Sequence, residues 1–120
     1  MADISDRDLS LLLDMLLAAR DALEFTQTLS QEAFLKSRLH QSAVIRSLEV
    51  VGEAAGCVSP ASTEMLPEIP WREITGMRHR LIHGYAEVDL DLVWRVVSDD
   101  IPPLITTLEA LVPPEDDAAE

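Results

Sequence analysis

The chain has 120 residues, enough for one domain that buries roughly two-thirds of its unfolded surface. Its apolar residues are mainly Leu, Ile, Val and Ala, with few aromatics and glycines, a helix-rich profile, and its formal net charge is −13. That charge argues against a broad electrostatic grip on nucleic acid and suits a basic protein partner, while a lone cysteine, Cys57, excludes a disulfide framework and a thiolate metal cluster.

The start Met1-Ala2-Asp3-Ile4-Ser5-Asp6 lacks the basic segment of a signal peptide. No apolar run approaches the ~18–20 residues that span a bilayer. A reducing, cytoplasmic setting without a membrane partner is the expectation.

The first predicted helix runs from residue 5 or 6 to 25, with Leu9, Leu12, Leu13, Leu16 and Leu23 as its core stripe. Leu11, Met15 and Leu17 lie on another side, and a second apolar face suggests a contact between subunits. Arg20 falls on the core stripe, where it either meets a carboxylate or snorkels outward. A second helix follows Thr28 or Ser30 as cap and continues to about Gly56. Val44, Leu48, Val51 and Ala55 form its stripe, joined by Phe34. On another face Arg46, Glu49 and Glu53 align as a salt-bridge ladder. Gly52 inside this helix costs about 1 kcal/mol relative to Ala, which points to close packing there.

Residues 57–68, with Pro60 and Pro67 among small polar residues, read as a loop. A third helix starts at Pro70, is anchored by Trp71 and ends at Gly84. Asp89 caps a fourth, which buries Trp94, Val97, Ile101, Leu104, Ile105 and Leu108 and is kinked by Pro102-Pro103. Residues 113–120, Pro-Pro-Glu-Asp-Asp-Ala-Ala-Glu, have no apolar content to fold and read as a disordered acidic tail after a domain at 1–112. No strand alternation is visible. The expectation is an all-α, up-down four-helix bundle.

The third helix carries Gly76-Met77-Arg78-His79-Arg80-Leu81-Ile82-His83-Gly84-Tyr85, a local reversal of the chain's acidity. Arg78 and His83 make an R-x4-H spacing, with Tyr85 two residues on. Metal-free RNA cleavage needs a base for the 2′-hydroxyl, an acid for the leaving oxygen and fixed positive charge on the phosphorane. Histidine suits the proton work, and arginine's planar fork suits the phosphate. On a straight helix five residues are about 140° apart, so the two would not share a face. Gly84 frees the backbone after His83, and a two-fold dimer would gather both copies of each residue in one cleft. His79 and His83 stand one helical turn apart, but zinc needs a third ligand, only His40 remains, and no metal or other cofactor is expected.

The run resembles the signature of HEPN-superfamily ribonucleases in its HepT-like form, R-x4-H-x-Y. Val50-Val51-Gly52-Glu53-Ala54-Ala55 resembles a second HepT-like signature, in which Gly-Glu ends a long helix, and Val88-Asp89-Leu90-Asp91 adds to the likeness. The resemblance spans about Leu9 to Leu108. It implies a homodimeric, metal-independent endoribonuclease toxin with Arg78 and His83 as catalytic residues. His79, Arg80 and Glu53 would support them, Glu53 as holder of the motif cation; at the His79 position asparagine is the more usual occupant. It further implies a cognate MntA-type minimal nucleotidyltransferase that adenylylates Tyr85 and silences the toxin. Two other readings stand beside it: a non-catalytic module that binds or regulates a nucleotidyltransferase, favoured by the acidity, and a bundle whose basic run binds nucleotide without cleavage.

Overall fold

The computed structural model describes residues 4–84 and 87–112. Its longest helix, α1 (Asp6–Thr26), is capped by Ser5, whose Oγ accepts from the Asp8 N–H at 3.1 Å. Asp8, Leu12, Met15, Ala19, Ala22 and Thr26 are buried, alternating four and three residues apart. This seam packs against α3 (Arg38–Cys57) and, beyond it, α8 (Ile101–Leu111). Arg7, at the start of α1, donates to the Cys57 carbonyl at the end of α3 at 3.0 Å, so the two helices run antiparallel.

The seam is rotated from the stripe that the leucines suggest. Met15, expected on a second face, is fully buried, whereas Leu9, Leu13 and Leu23 are half-buried. Alanine explains the difference. Ala18, Ala19 and Ala22 contribute little hydropathy, yet they are buried together with Leu12 and Leu16 of the expected stripe, because small side chains permit close helix contact. Leu17 remains exposed, so the second apolar face is narrower than expected. Arg20 is half-exposed and pairs with Glu109 of α8 at 2.8 Å, which meets its need for a carboxylate.

The second helical pass is broken. Ser30 caps a short α2 (Gln31–Leu35), and Ser37 starts α3 afresh by accepting from the His40 N–H at 3.3 Å. The expected loop at 57–68 contains a further helix, α4 (Pro60–Met65), capped by Ser59 with Pro60 in its first turn. Asp8 holds it to α1. Its buried carboxylate accepts from the Ser59 hydroxyl (2.5 Å), the Ser62 hydroxyl (2.6 Å) and the Ser59 N–H (3.2 Å). These bonds, led by the Ser59 hydroxyl, outweigh desolvation and hold the Asp8 carboxyl at about 2.

The third pass is α5 (Trp71–Thr75) and α6 (Met77–Leu81), separated at Gly76. It follows Pro70, and the half-buried Trp71 indole donates to the Leu66 carbonyl at 3.0 Å. Gly52 of α3 faces α5 so closely that a Cβ there would stand 3.2 Å from the Ile74 carbonyl oxygen. The close packing expected at this glycine is therefore present.

The third pass does not continue as helix to Gly84. It stops at Leu81, and β1 (Ile82–Gly84) pairs antiparallel with β2 (Glu87–Val88). A two-stranded hairpin thus interrupts an otherwise helical fold; strands this short show no alternation in sequence. The Asp89 N–H closes the base by donating to Leu81 O at 2.8 Å, and its carboxylate caps α7 (Leu90–Arg95). The fourth pass runs from α7 through a π-helical turn (Val96–Asp100) into α8. The Ile101 N–H reaches back five residues to Val96 O. Pro102 and Pro103, lacking N–H groups, sit where α8 can accept them, so the expected irregularity falls just before them as a widened turn. Trp94 is half-buried against Phe34, with ring centroids 5.4 Å apart. The acidic tail at 113–120 lies outside the described residues. No helix among those described is long and apolar enough to cross a membrane.

Two outcomes follow from this packing. A carboxyl whose folded value lies below its unfolded one adds stability that is present above about pH 4 and is lost as pH falls toward about 2. Asp8→Asn should therefore lower the urea midpoint at pH 7 and flatten its decline between those limits. Equal midpoints at neutral pH would show that the staple contributes nothing. At Gly52 a branched side chain must push α5 away, and Gly52→Val should destabilise by about 1–3 kcal/mol in urea unfolding. Unchanged stability would mean that α5 retreats freely.

Candidate active site

The five residues of α6 are too few to stand alone and are fixed by Met77 and Leu81, both buried. One turn of helix with those two facing inward leaves Arg78, His79 and Arg80 at the surface. The two arginines nevertheless serve different recesses. Arg78 lines a cleft of about 200 Å³ between α3 and α6, with Ile45, Leu48, Gly52, Leu81 and Ile82 as apolar or small lining and Glu49 and Glu53 beside it. Arg80 lines a separate groove of about 540 Å³ whose walls include Ile74, Val96 and Leu104. Met77 borders both.

In the cleft, Arg78 Nε donates to Glu49 Oε2 at 3.4 Å. The carboxylate that meets Arg78 thus stands one helical turn before Glu53, the residue expected to hold a motif cation. Glu53 instead lies 3.8 Å from Arg46, two turns back along α3. The row Arg46, Glu49, Glu53 is therefore only partly a ladder: its ends pair along the helix and its middle member reaches across to α6. The sequence places all three on one face, but choosing between the glutamates requires knowing which turn of α3 meets α6.

His83 does not share a helix with Arg78. It lies on β1 and is exposed. Ile82 is opposite Val88 and Gly84 opposite Glu87, so the register shifts across His83, which occupies the irregularity. An extra residue in one strand bends it and re-aims its side chain. The difficulty of a 140° separation on one straight helix is removed by the switch from helix to strand after Leu81. The same switch undoes the idea that His79 and His83 share a helix face. His79 is exposed on α6. Tyr85 lies outside the described residues. Among those described, no three His, Cys, Asp or Glu side chains gather as a metal site.

The arrangement offers a largely exposed guanidinium in contact with Glu49 through its inner nitrogen at the edge of an apolar cleft, and an exposed imidazole on the strand that follows the same short helix. These can bind a phosphate and move a proton.

Residues 15–111 match the family described as ribonuclease HepT-like. A candidate RNase of Methanocaldococcus jannaschii is 36% identical over 107 residues, covering 88% of this chain and 98% of that protein. The "Probable ribonuclease HepT" of Thermococcus cleftensis is 44% identical over 88 residues, covering 73% of this chain and 80% of its own length. No solved structure gives a significant match. With a match that takes in α3, the cleft, the hairpin and α8, the chain belongs to the HepT-like ribonuclease family.

Proposed function

We propose that this protein is a metal-independent endoribonuclease, the toxin of a type VII-like pair with a minimal nucleotidyltransferase of the MntA type. The observation that carries it is the exposure of Arg78 and His83 on either side of the helix-to-strand switch, inside the segment that matches the family. In this reading the 2′-oxygen attacks phosphorus as its proton passes to a base, and the P–O5′ bond breaks as an acid protonates the leaving oxygen. His83 serves the proton transfers, and the Arg78 guanidinium stabilises the charge on the equatorial oxygens. One chain supplies one such pair. A homodimer, acting in the cytoplasm, would supply base and acid together, and exposed Leu17 on α1 offers apolar area toward such a contact. The second reading, a non-catalytic module that binds the nucleotidyltransferase, is favoured by the net charge of −13 and would leave the same surface to protein contacts.

Expression of the chain alone should arrest growth and cut RNA in the purified protein, with EDTA without effect. Arg78→Ala and His83→Ala should each lower cleavage by about two orders of magnitude or more while leaving the helical signal intact. Cleavage that survives both changes would overturn the assignment.

Tyr85 follows His83 by two residues in the sequence, and AMP on its hydroxyl would add a negative phosphate and bulk to the motif that must receive RNA. Co-expression with the nucleotidyltransferase should add one or more AMP units at Tyr85, read by intact mass and peptide mapping, and suppress toxicity. Tyr85→Phe should still cut RNA but escape control. Silenced protein with unmodified Tyr85 would favour inhibition by binding alone.

A further inference from the structure

A carboxylate beside an arginine meant for phosphate is a cost unless it serves a purpose. Glu49 repels the phosphate that Arg78 would bind, and at close range in a partly desolvated cleft that repulsion is felt. The geometry identifies the compensating role. Glu49 reaches the inner nitrogen, Nε, at 3.4 Å and not the terminal pair. A guanidinium held at Nε keeps its Nη1–Nη2 edge available for two oxygens of a phosphate. The two side chains also differ in enclosure: Glu49 is 27% exposed and Arg78 68%, so Glu49 is the more confined member of the pair. Glu49 sits in the middle of α3, a rigid 20-residue helix, while Arg78 sits on a five-residue helix with no side-chain cap. Arg46 takes up Glu53, the other carboxylate of the cleft, leaving Glu49 as the partner of Arg78.

We propose that Glu49 is a positioning residue that sets the guanidinium plane of Arg78 through Nε, so that its terminal edge faces the scissile phosphate. This rests on the ribonuclease reading above for its consequence in catalysis, but the aiming itself is a property of the folded chain. Two effects of Glu49→Gln then have opposite signs. Losing a negative charge eases phosphate binding, and losing the charge-assisted hold lets the fork wander, which slows the chemical step.

The test compares wild type, Glu49→Gln and Glu24→Gln, the last an exposed carboxylate on α1 that controls for net charge. With a single-stranded RNA, Glu49→Gln should lower kcat about 10- to 100-fold. With the same sequence bearing 2′-O-methyl groups, which cannot be cut, its affinity should be equal to or tighter than that of wild type. Unchanged kcat, or a fall in kcat matched by weaker binding of the uncut RNA, would overturn the proposal. A second readout does not need activity. The Arg78 Nε–Hε resonance, identified by its absence in Arg78→Lys, should exchange with solvent several-fold faster in Glu49→Gln than in wild type. Equal exchange rates would overturn the aiming role even if RNA is cut. If wild type cuts nothing, the ribonuclease reading fails and the exchange comparison still decides whether Glu49 holds Arg78.

Discussion

The approach of α5 to α3 at Gly52 is the constraint on which the site depends. A Cβ at that position would stand 3.2 Å from the Ile74 carbonyl oxygen, so the glycine lets the third pass lie against α3 without a shift of a few tenths of an ångström. From that contact the rest follows in sequence. With α5 seated, Gly76 passes the chain into α6, and Met77 and Leu81 turn inward. Arg78 is then carried to the turn of α3 that holds Glu49. The intrinsic helical cost of glycine, about 1 kcal/mol, is small beside the apolar burial it permits, since each fully buried aliphatic side chain contributes about 1.5–3 kcal/mol.

Much of this was legible in the residues, and the failures have physical causes. The helical passes, the caps at Ser5, Ser30 and Asp89, the tight packing at Gly52 and the irregularity near Pro102 all follow from local chemistry that a sequence displays. The seam of α1 was displaced because hydropathy ranks leucine above alanine, while close helix contact favours the smaller side chain. In residues 57–68 the prolines suggest breaks, but Ser59 followed by Pro60 is equally a cap and a first helical residue. The break at Ser37 carries the same kind of signal. The hairpin is too short for any period to appear, and its existence depends on Val88 returning to meet Ile82.

For the site, the sequence supplied the inventory and the fold supplied the partnerships. Arg78, His83, Glu49 and Glu53 can be picked out as chemistry-bearing, but which glutamate meets which arginine is a long-range fact. Arg80, two residues from Arg78, belongs to another groove because neighbours at that spacing point to different sides of a helix. The acidity of the chain also has a local meaning. Arg20, Arg46 and Arg78 each face a carboxylate, so much of the positive charge is locally paired instead of spread as a field.

The π-helical turn at Val96–Asp100 sets the phase of the whole fourth pass. A widened turn accommodates roughly one residue more than a regular one, and each residue of a helix accounts for about 100° of rotation. Val93 before the turn, Val96 and Val97 within it, and Ile101, Leu104 and Leu108 after it all reach the interior across that offset. The exposed residues Ser98 and Asp99 are thus free in identity but not in number. A change of side chain there leaves the core in register, whereas deletion of one residue would rotate α7, and with it the capping Asp89 at the foot of the hairpin that carries His83, about its own axis.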